Sequence, residues 1–228
     1  MKSVQVIIPC YGHSAFLGEA IKSVLNSKCG GLDIQITVVC DGDNDAFLIA
    51  KEFPVETILL DKKYGTYIAQ NTGISLNRSD WITFCGADDE FLPSRLSSMF
   101  DACPSLTEKT ILNTWHIKID ELGMPIKLGS EALGGVFMYH KDMISQLGGF
   151  RSWICSADTD LYTRALKVGG RPFIVKQPHY RYRQHGNQLT HNSKTRIGGA
   201  IRFAYQKEID RSSDIYIEPE LGKIDQRN

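Results

Sequence analysis

The sequence predicts an α/β protein with a mostly parallel central sheet and helices on both faces, and two observations carry the prediction. Over the first hundred residues, short β-branched runs alternate with segments of helical periodicity. Glycine and carboxylate residues then follow two of those runs directly, at the sheet edge where open α/β folds bind ligands. In order, Val4 to Ile8 is a continuous apolar run stopped by Pro9, the first strand. Phe16, Leu17, Ala20, Ile21, Val24 and Leu25 repeat at helical spacing and predict a helix ending near Gly30-Gly31. Ile34 to Cys40 is the second strand, with a helix after it up to Glu52, and Val55 to Leu60 is the third. Tyr64 to Leu76 is a helix, and Trp81 to Cys85 is a fourth strand before the acidic turn Asp88-Asp89-Glu90. Beyond this point the pattern is less regular. Ile111 to Ile119 with Asp120-Glu121-Leu122-Gly123 reads as strand and turn, Lys141 to Leu147 as a short helix and Asp158 to Val168 as a longer one. Val175 to His185 is extended, Lys194 to Ile209 a terminal helix, and the polar stretch from Arg211 a tail or docking arm.

Composition narrows the function classes. The chain has 228 residues, 26 Lys and Arg against 26 Asp and Glu, and 42% hydrophobic residues, as an ordinary globular protein does. Balanced charge argues against a nucleic-acid partner. No window approaches the roughly 18 consecutive apolar residues of a membrane span, and the N-terminus has no signal-peptide pattern, so a cytoplasmic protein is expected. Six cysteines, Cys10, Cys29, Cys40, Cys85, Cys103 and Cys155, occur singly without a C-x-x-C pair, which excludes a zinc ribbon or thioredoxin-like site and favours small buried thiols.

The second strand runs into Asp41-Gly42-Asp43 and the fourth into Gly86-Ala87-Asp88-Asp89-Glu90. Turn and capping chemistry explains either alone, with Asp45 or Asp89 as a helix cap. Two acidic turns on one sheet edge call for a cation or ligand to offset their repulsion. Asp41, Asp43, Asp45 and Glu52 have the spacing of an EF-hand loop, but a strand precedes them and Ala46 stands where the glycine belongs.

With these turns in place, the sequence resembles family 2 glycosyltransferases of the GT-A fold. The resemblance rests on Val4-Gln5-Val6-Ile7-Ile8-Pro9-Cys10-Tyr11-Gly12, Val39-Cys40-Asp41-Gly42, Ala69-Gln70-Asn71-Thr72-Gly73 and Gly86-Ala87-Asp88-Asp89, in order and at family spacing. Downstream, Gly148-Gly149-Phe150 and Asp158-Thr159-Asp160-Leu161 resemble the acceptor-side loop and the helix bearing the catalytic acid. It implies one GT-A domain over residues 1–210, with a Rossmann-like nucleotide-sugar half at 1–105, a smaller acceptor half at 106–210, and a tail at 211–228. Pro9, Tyr11, Asp41 and Gln70 are then donor-binding, with Asp41 facing the base. Asp88 binds both donor and metal, and Gly149, Phe150 and Asp160 lie on the acceptor side. The implied reaction is inverting transfer from a nucleotide-diphosphate sugar to a hydroxyl of a glycan or glycolipid, assisted by Mn2+ or Mg2+; a glycolipid acceptor would bring a peripheral contact with the inner membrane face. Two positions depart from the family: Gly86 stands in place of the first D-x-D acid, and Gln70 in place of an arginine. The first departure keeps open a catalytically silent nucleotide-sugar or glycan-binding module of the same fold. A sugar nucleotidyltransferase is disfavoured, because no glycine-rich turn follows the first strand.

Inverting transfer needs a carboxylate to take the acceptor proton. With Ser156 as N-cap, Asp158 shares a stripe with Leu161, Tyr162, Ala165 and Leu166, whereas Asp160 points to the other side and pairs i, i+4 with Arg164, which makes it an acceptor-side or a structural partner. Asp158 is the expected base; a helix-dipole contact alone is its other explanation. In His179-Tyr180-Arg181-Tyr182-Arg183-Gln184-His185, alternation sends the basic residues to one face. That face is either a solvated edge strand or, as the resemblance implies, a site where His185 binds metal or phosphate and Arg183 binds the diphosphate.

Overall fold

The computed structural model describes residues 2–28, 30–186, 188 and 193–227. Cys29 and most of the loop after Gly186 lie outside the described residues. Strands β1 (Ser3–Cys10), β2 (Asp33–Cys40), β3 (Glu56–Leu59) and β4 (Trp81–Phe84) pair in parallel, in the spatial order β3-β2-β1-β4. Helices α1 (Ser14–Leu25), α2 (Asn44–Ala50) and α3 (Thr66–Ser75) are the crossovers between them. The unbroken apolar run of β1 follows from this arrangement, because alternate side chains serve opposite faces. Val4, Val6 and Ile8 pack with Leu17, Ile21 and Val24 of α1, while Ile7 packs with Ala69 of α3 and with Phe84 on the other face. Gly73 lets α3 approach, since a Cβ there would meet Ile7 Cγ2 at 2.7 Å.

The second half continues the same sheet with mixed pairing. Strand β5 (Glu90–Phe91) and helix α4 (Arg95–Ala102) precede β6 (Thr110–Ile119), which forms a hairpin with β7 (Pro125–Ala132). Strand β8 (Met138–His140) joins β4 to β6 through antiparallel pairs. Helices α5 (Lys141–Leu147) and α6 (Ala157–Lys167) lead to β9 (Arg171–Arg183), parallel to β6 and antiparallel to β5. Strand β9 is therefore interior, which corrects the edge-strand reading of its basic, aromatic end. The last helix, α7, spans Ala200–Arg211, six residues later at its start than the spacing suggests.

Residues after α7 dock onto the body. The Ile217 amide donates to the Leu147 carbonyl, the Gly222 amide to Thr72 Oγ1, and the Asp225 amide to the Leu59 carbonyl. Leu60 and Ile224 form an antiparallel bridge beyond β3. No helix among the described residues is long and apolar enough to cross a membrane.

Candidate functional site

Parallel pairing brings the carboxyl ends of β1 to β4, and so the turns after them, to one edge. After β2, Asp41 is buried; its two oxygens accept the Tyr64 and Gly65 amides, each at 2.7 Å, and tie the loop before α3 to this edge. The cap of α2 is Asp43 and not the expected Asp45: it accepts the Ala46 amide at 3.0 Å and the Gly12 amide at 2.7 Å. Gly42 lies at φ +72°, and a Cβ there would meet the Lys62 carbonyl carbon at 2.4 Å. Pro9 is the last residue but one of β1, paired opposite Val39. Tyr11 beside it is 47% exposed, with the Lys63 ammonium 3.6 Å from its ring centroid. Gln70 on α3 is 5% exposed, and its Oε1 has no hydrogen-bond partner among the described residues. A buried acceptor left unpaired costs about 1–3 kcal/mol, which a bound donor group would recover.

The turn after β4 brings three ligand-type side chains together. His13, Asp88 and His185 each offer an atom, and these lie within 4.8 Å of one another. His185 Nε2 is 2.8 Å from Asp88 Oδ2, and His13 Nδ1 is 3.8 Å from the same oxygen. Two imidazoles and a carboxylate suit a divalent cation. Sequence reasoning found Asp88 and His185 but passed over His13, whose cue was its place in the turn directly after β1.

Asp89 and Arg183 hold that turn. Asp89 is buried and accepts from Tyr180 Oη at 2.7 Å and the Arg183 amide at 2.8 Å. Burial and the neighbouring Asp88 charge push its carboxyl well above the usual range. The guanidinium of Arg183, 1% exposed, donates to the Asp88 and Glu121 carbonyls and to the Glu19 and Glu90 carboxylates, and stacks over Phe16. Its expected diphosphate contact is corrected by this geometry: each guanidinium nitrogen is already committed to a protein oxygen. It braces the backbone of Asp88.

Asp158, half-buried in the first turn of α6, accepts from Tyr67 Oη at 2.9 Å through Oδ1. Its Oδ2 faces Gly134, where a Cβ would stand only 2.9 Å away. Burial and the Asp158 charge hold the Tyr67 phenol well above its ordinary pKa, so it remains the donor. Ser156 is at the N-cap position, but without a side-chain cap bond and at φ 66°, a strained conformation for a residue with a Cβ. The buried side of α6 is Ala157, Asp160, Leu161, Arg164 and Ala165, with Leu166 exposed. The predicted stripe is therefore rotated, because Asp160 is buried as an ion pair. Its oxygens take Arg151 Nε at 3.1 Å and Arg164 Nε at 2.8 Å. This is the i, i+4 pair with Arg164 that the spacing suggests, and it occupies Asp160 inside the protein, in the structural role weighed against an acceptor-side one.

Gly149 and Phe150 are buried as well. Asn71 clasps Phe150 through both main-chain groups, at 2.9 Å each, and a Cβ on Gly149 would meet Asn71 Oδ1 at 2.6 Å. The Phe150 ring packs 5.4 Å from that of Tyr67. These two residues support the holder of Asp158 from within, a correction to their placement on an acceptor surface.

Comparison with known proteins gives this arrangement a family. The sequence matches Glycosyl transferase family 2 over residues 5–122. An uncharacterized glycosyltransferase of Haemophilus influenzae is 21% identical over 194 residues, 77% of this chain and 66% of its own. The poly(ribitol-phosphate) beta-N-acetylglucosaminyltransferase TarP of Staphylococcus aureus is 22% identical over 246 residues, 96% of this chain and 74% of its own. Crystal structures of S. aureus TarS 1–349 in complex with UDP and with UDP-GlcNAc align at a TM-score of 0.65, with 15% and 14% identity, and share the GT-A fold. They cover 82% of this chain, which spans 61% and 60% of theirs. With the match extending over more than half the chain and across all four strand-end turns, the protein belongs to glycosyl transferase family 2.

Proposed function

We propose that the protein transfers a sugar from a nucleotide-diphosphate donor to a hydroxyl of a glycan or glycolipid acceptor, with inversion at the anomeric carbon and Asp158 as general base. The observation that carries the proposal is the setting of Asp158: a half-buried carboxylate with one oxygen held by Tyr67 and the other facing a glycine. A base held in one orientation can take the acceptor proton as the oxygen attacks. The donor lies on the edge formed by Pro9, Tyr11, Asp41 and Gln70. There the Tyr11 ring offers a stacking surface and Lys63 a positive charge. Mn2+ or Mg2+ held by Asp88 and His185 would neutralise the charge developing on the departing diphosphate. Asp89 and Arg183 fix the turn that carries Asp88.

Incubation with a panel of nucleotide sugars, beginning with the UDP-GlcNAc seen in TarS, and with candidate acceptors tests the reading. Release of nucleoside diphosphate and an inverted product linkage by NMR are expected. Donor binding without turnover for any acceptor would favour the silent binding module, for which Gly86 in place of an acid is the supporting feature. Peripheral membrane association, measured by co-sedimentation with anionic vesicles, is expected only with a glycolipid acceptor.

A further inference from the structure

We propose that His13 is a metal ligand that takes over for the missing carboxylate at position 86, and that the resulting pair of imidazoles with one carboxylate selects Mn2+ or Co2+ over Mg2+. This rests on the metal-assisted reading above and adds to it a ligand and a selectivity.

Gly86 is crowded by two carboxyl groups. A Cβ there would stand 2.5 Å from Asp89 Oδ2 and 2.9 Å from Asp88 Oδ1, so an acid at 86 would crowd a third carboxyl group into the same turn. A further donor has to come from another element, and the turn between β1 and α1 supplies one. His13 holds the N-cap position of α1, where a side chain ordinarily accepts an amide of the first turn. It makes no such bond. Its carbonyl serves the helix instead, accepting the Phe16 and Leu17 amides. The imidazole turns to Asp88, with Nδ1 3.8 Å from Oδ2, and meets the His185 ring edge-on at a centroid distance of 5.1 Å. Both rings thus face one carboxylate oxygen from different elements, His13 from the start of α1 and His185 from just beyond β9.

The donor set decides the ion. Mg2+ prefers an all-oxygen octahedron, whereas imidazole favours the later divalent metals, with Co2+ above Mn2+ in affinity. Two nitrogens among three protein donors therefore disfavour Mg2+.

Titration of the full chain with Mn2+ alone, followed by EPR, tests the assignment. Pulsed measurements of the bound ion should show nitrogen modulation from two imidazoles, with Co2+ displacing Mn2+ at near-stoichiometric levels and Mg2+ only in large excess. His13→Gln should weaken Mn2+ binding by about tenfold or more and leave one nitrogen, with an unchanged unfolding midpoint. His13→Asp should retain binding and narrow the preference for Mn2+ over Mg2+. Wild-type affinity and two nitrogens in His13→Gln would overturn the role of His13 while leaving the metal reading intact. Absence of Mn2+ binding to the wild-type chain would overturn both.

Discussion

Asp158 and Asp160 occupy the same turn of α6, and their neighbours divide the work between them. Asp158 has one neutral partner and stays accessible. Asp158→Asn should lower the transfer rate by about 10²–10⁴ while donor binding persists, read from initial rates and donor titration. Asp160, 2% exposed, faces Arg164, also 2% exposed, and Arg151. Removing one member of a buried pair leaves the other charge uncompensated, so Asp160→Asn should cost about 3–5 kcal/mol in urea unfolding. Full stability with lost turnover would return Asp160 to the acceptor. The Asp160–Arg164 pair was legible from its i, i+4 spacing, whereas Tyr67 was not, because 91 residues separate it from Asp158. Arg183 was misjudged for a related reason: Glu19 and Glu90, which claim its guanidinium, come from α1 and β5.

At the level of elements, the parallel strands and their crossovers were legible because each carries its own periodicity. Strand β8 has only three residues, at the end of the buried apolar run Val136, Phe137, Met138 and Tyr139, a cue too short to set its element type, and β7 is mostly exposed and offers none. Helix α4 carried a signal in Leu96, Met99 and Phe100, all buried at helical spacing, that went unused. The ends of β1 and β2 have a measurable property of their own. Cys10 and Cys40 pair in register there, and both are free thiols. Burial, aided by the Asp43 charge, pushes Cys10 up to about 12 from 9.0, and burial raises Cys40 as well. Between about pH 9 and about pH 12 the unfolded chain loses a proton from Cys10 that the folded chain retains. Stability should therefore be intact below pH 9 and fall as pH rises through that window. Tyr67, Tyr139 and Tyr180, raised by burial, act in the same direction. Urea midpoints measured from pH 8 to pH 11 should decline, and Cys10→Ala should make the decline shallower; an unchanged slope in that variant would count against the buried-thiol account.

The whole molecule is closed by the segment after α7. It reaches α5 through Ile217, α3 through Gly222 and the end of β3 through Asp225, and Asn71 Nδ2 donates to the Glu220 carbonyl as well as to that of Phe150. Removal of residues 212–228 should destabilise the chain by a few kcal/mol, at about 1 kcal/mol per hydrogen bond lost. Thermal unfolding checks this, and an unchanged midpoint would show the segment to be dispensable. This docking also sets a timetable for vectorial synthesis. Strand β3 is an outer strand of the sheet, and the residue beyond it, Leu60, finds its partner Ile224 only after about 160 further residues have been made. At roughly 5–20 residues per second, the nascent first half leaves that flank uncovered for about 10–30 s. An uncovered sheet flank is a template for wrong pairing. The interval in which a wrong pairing on this flank competes with the native one therefore runs from the emergence of β3 to that of Ile224.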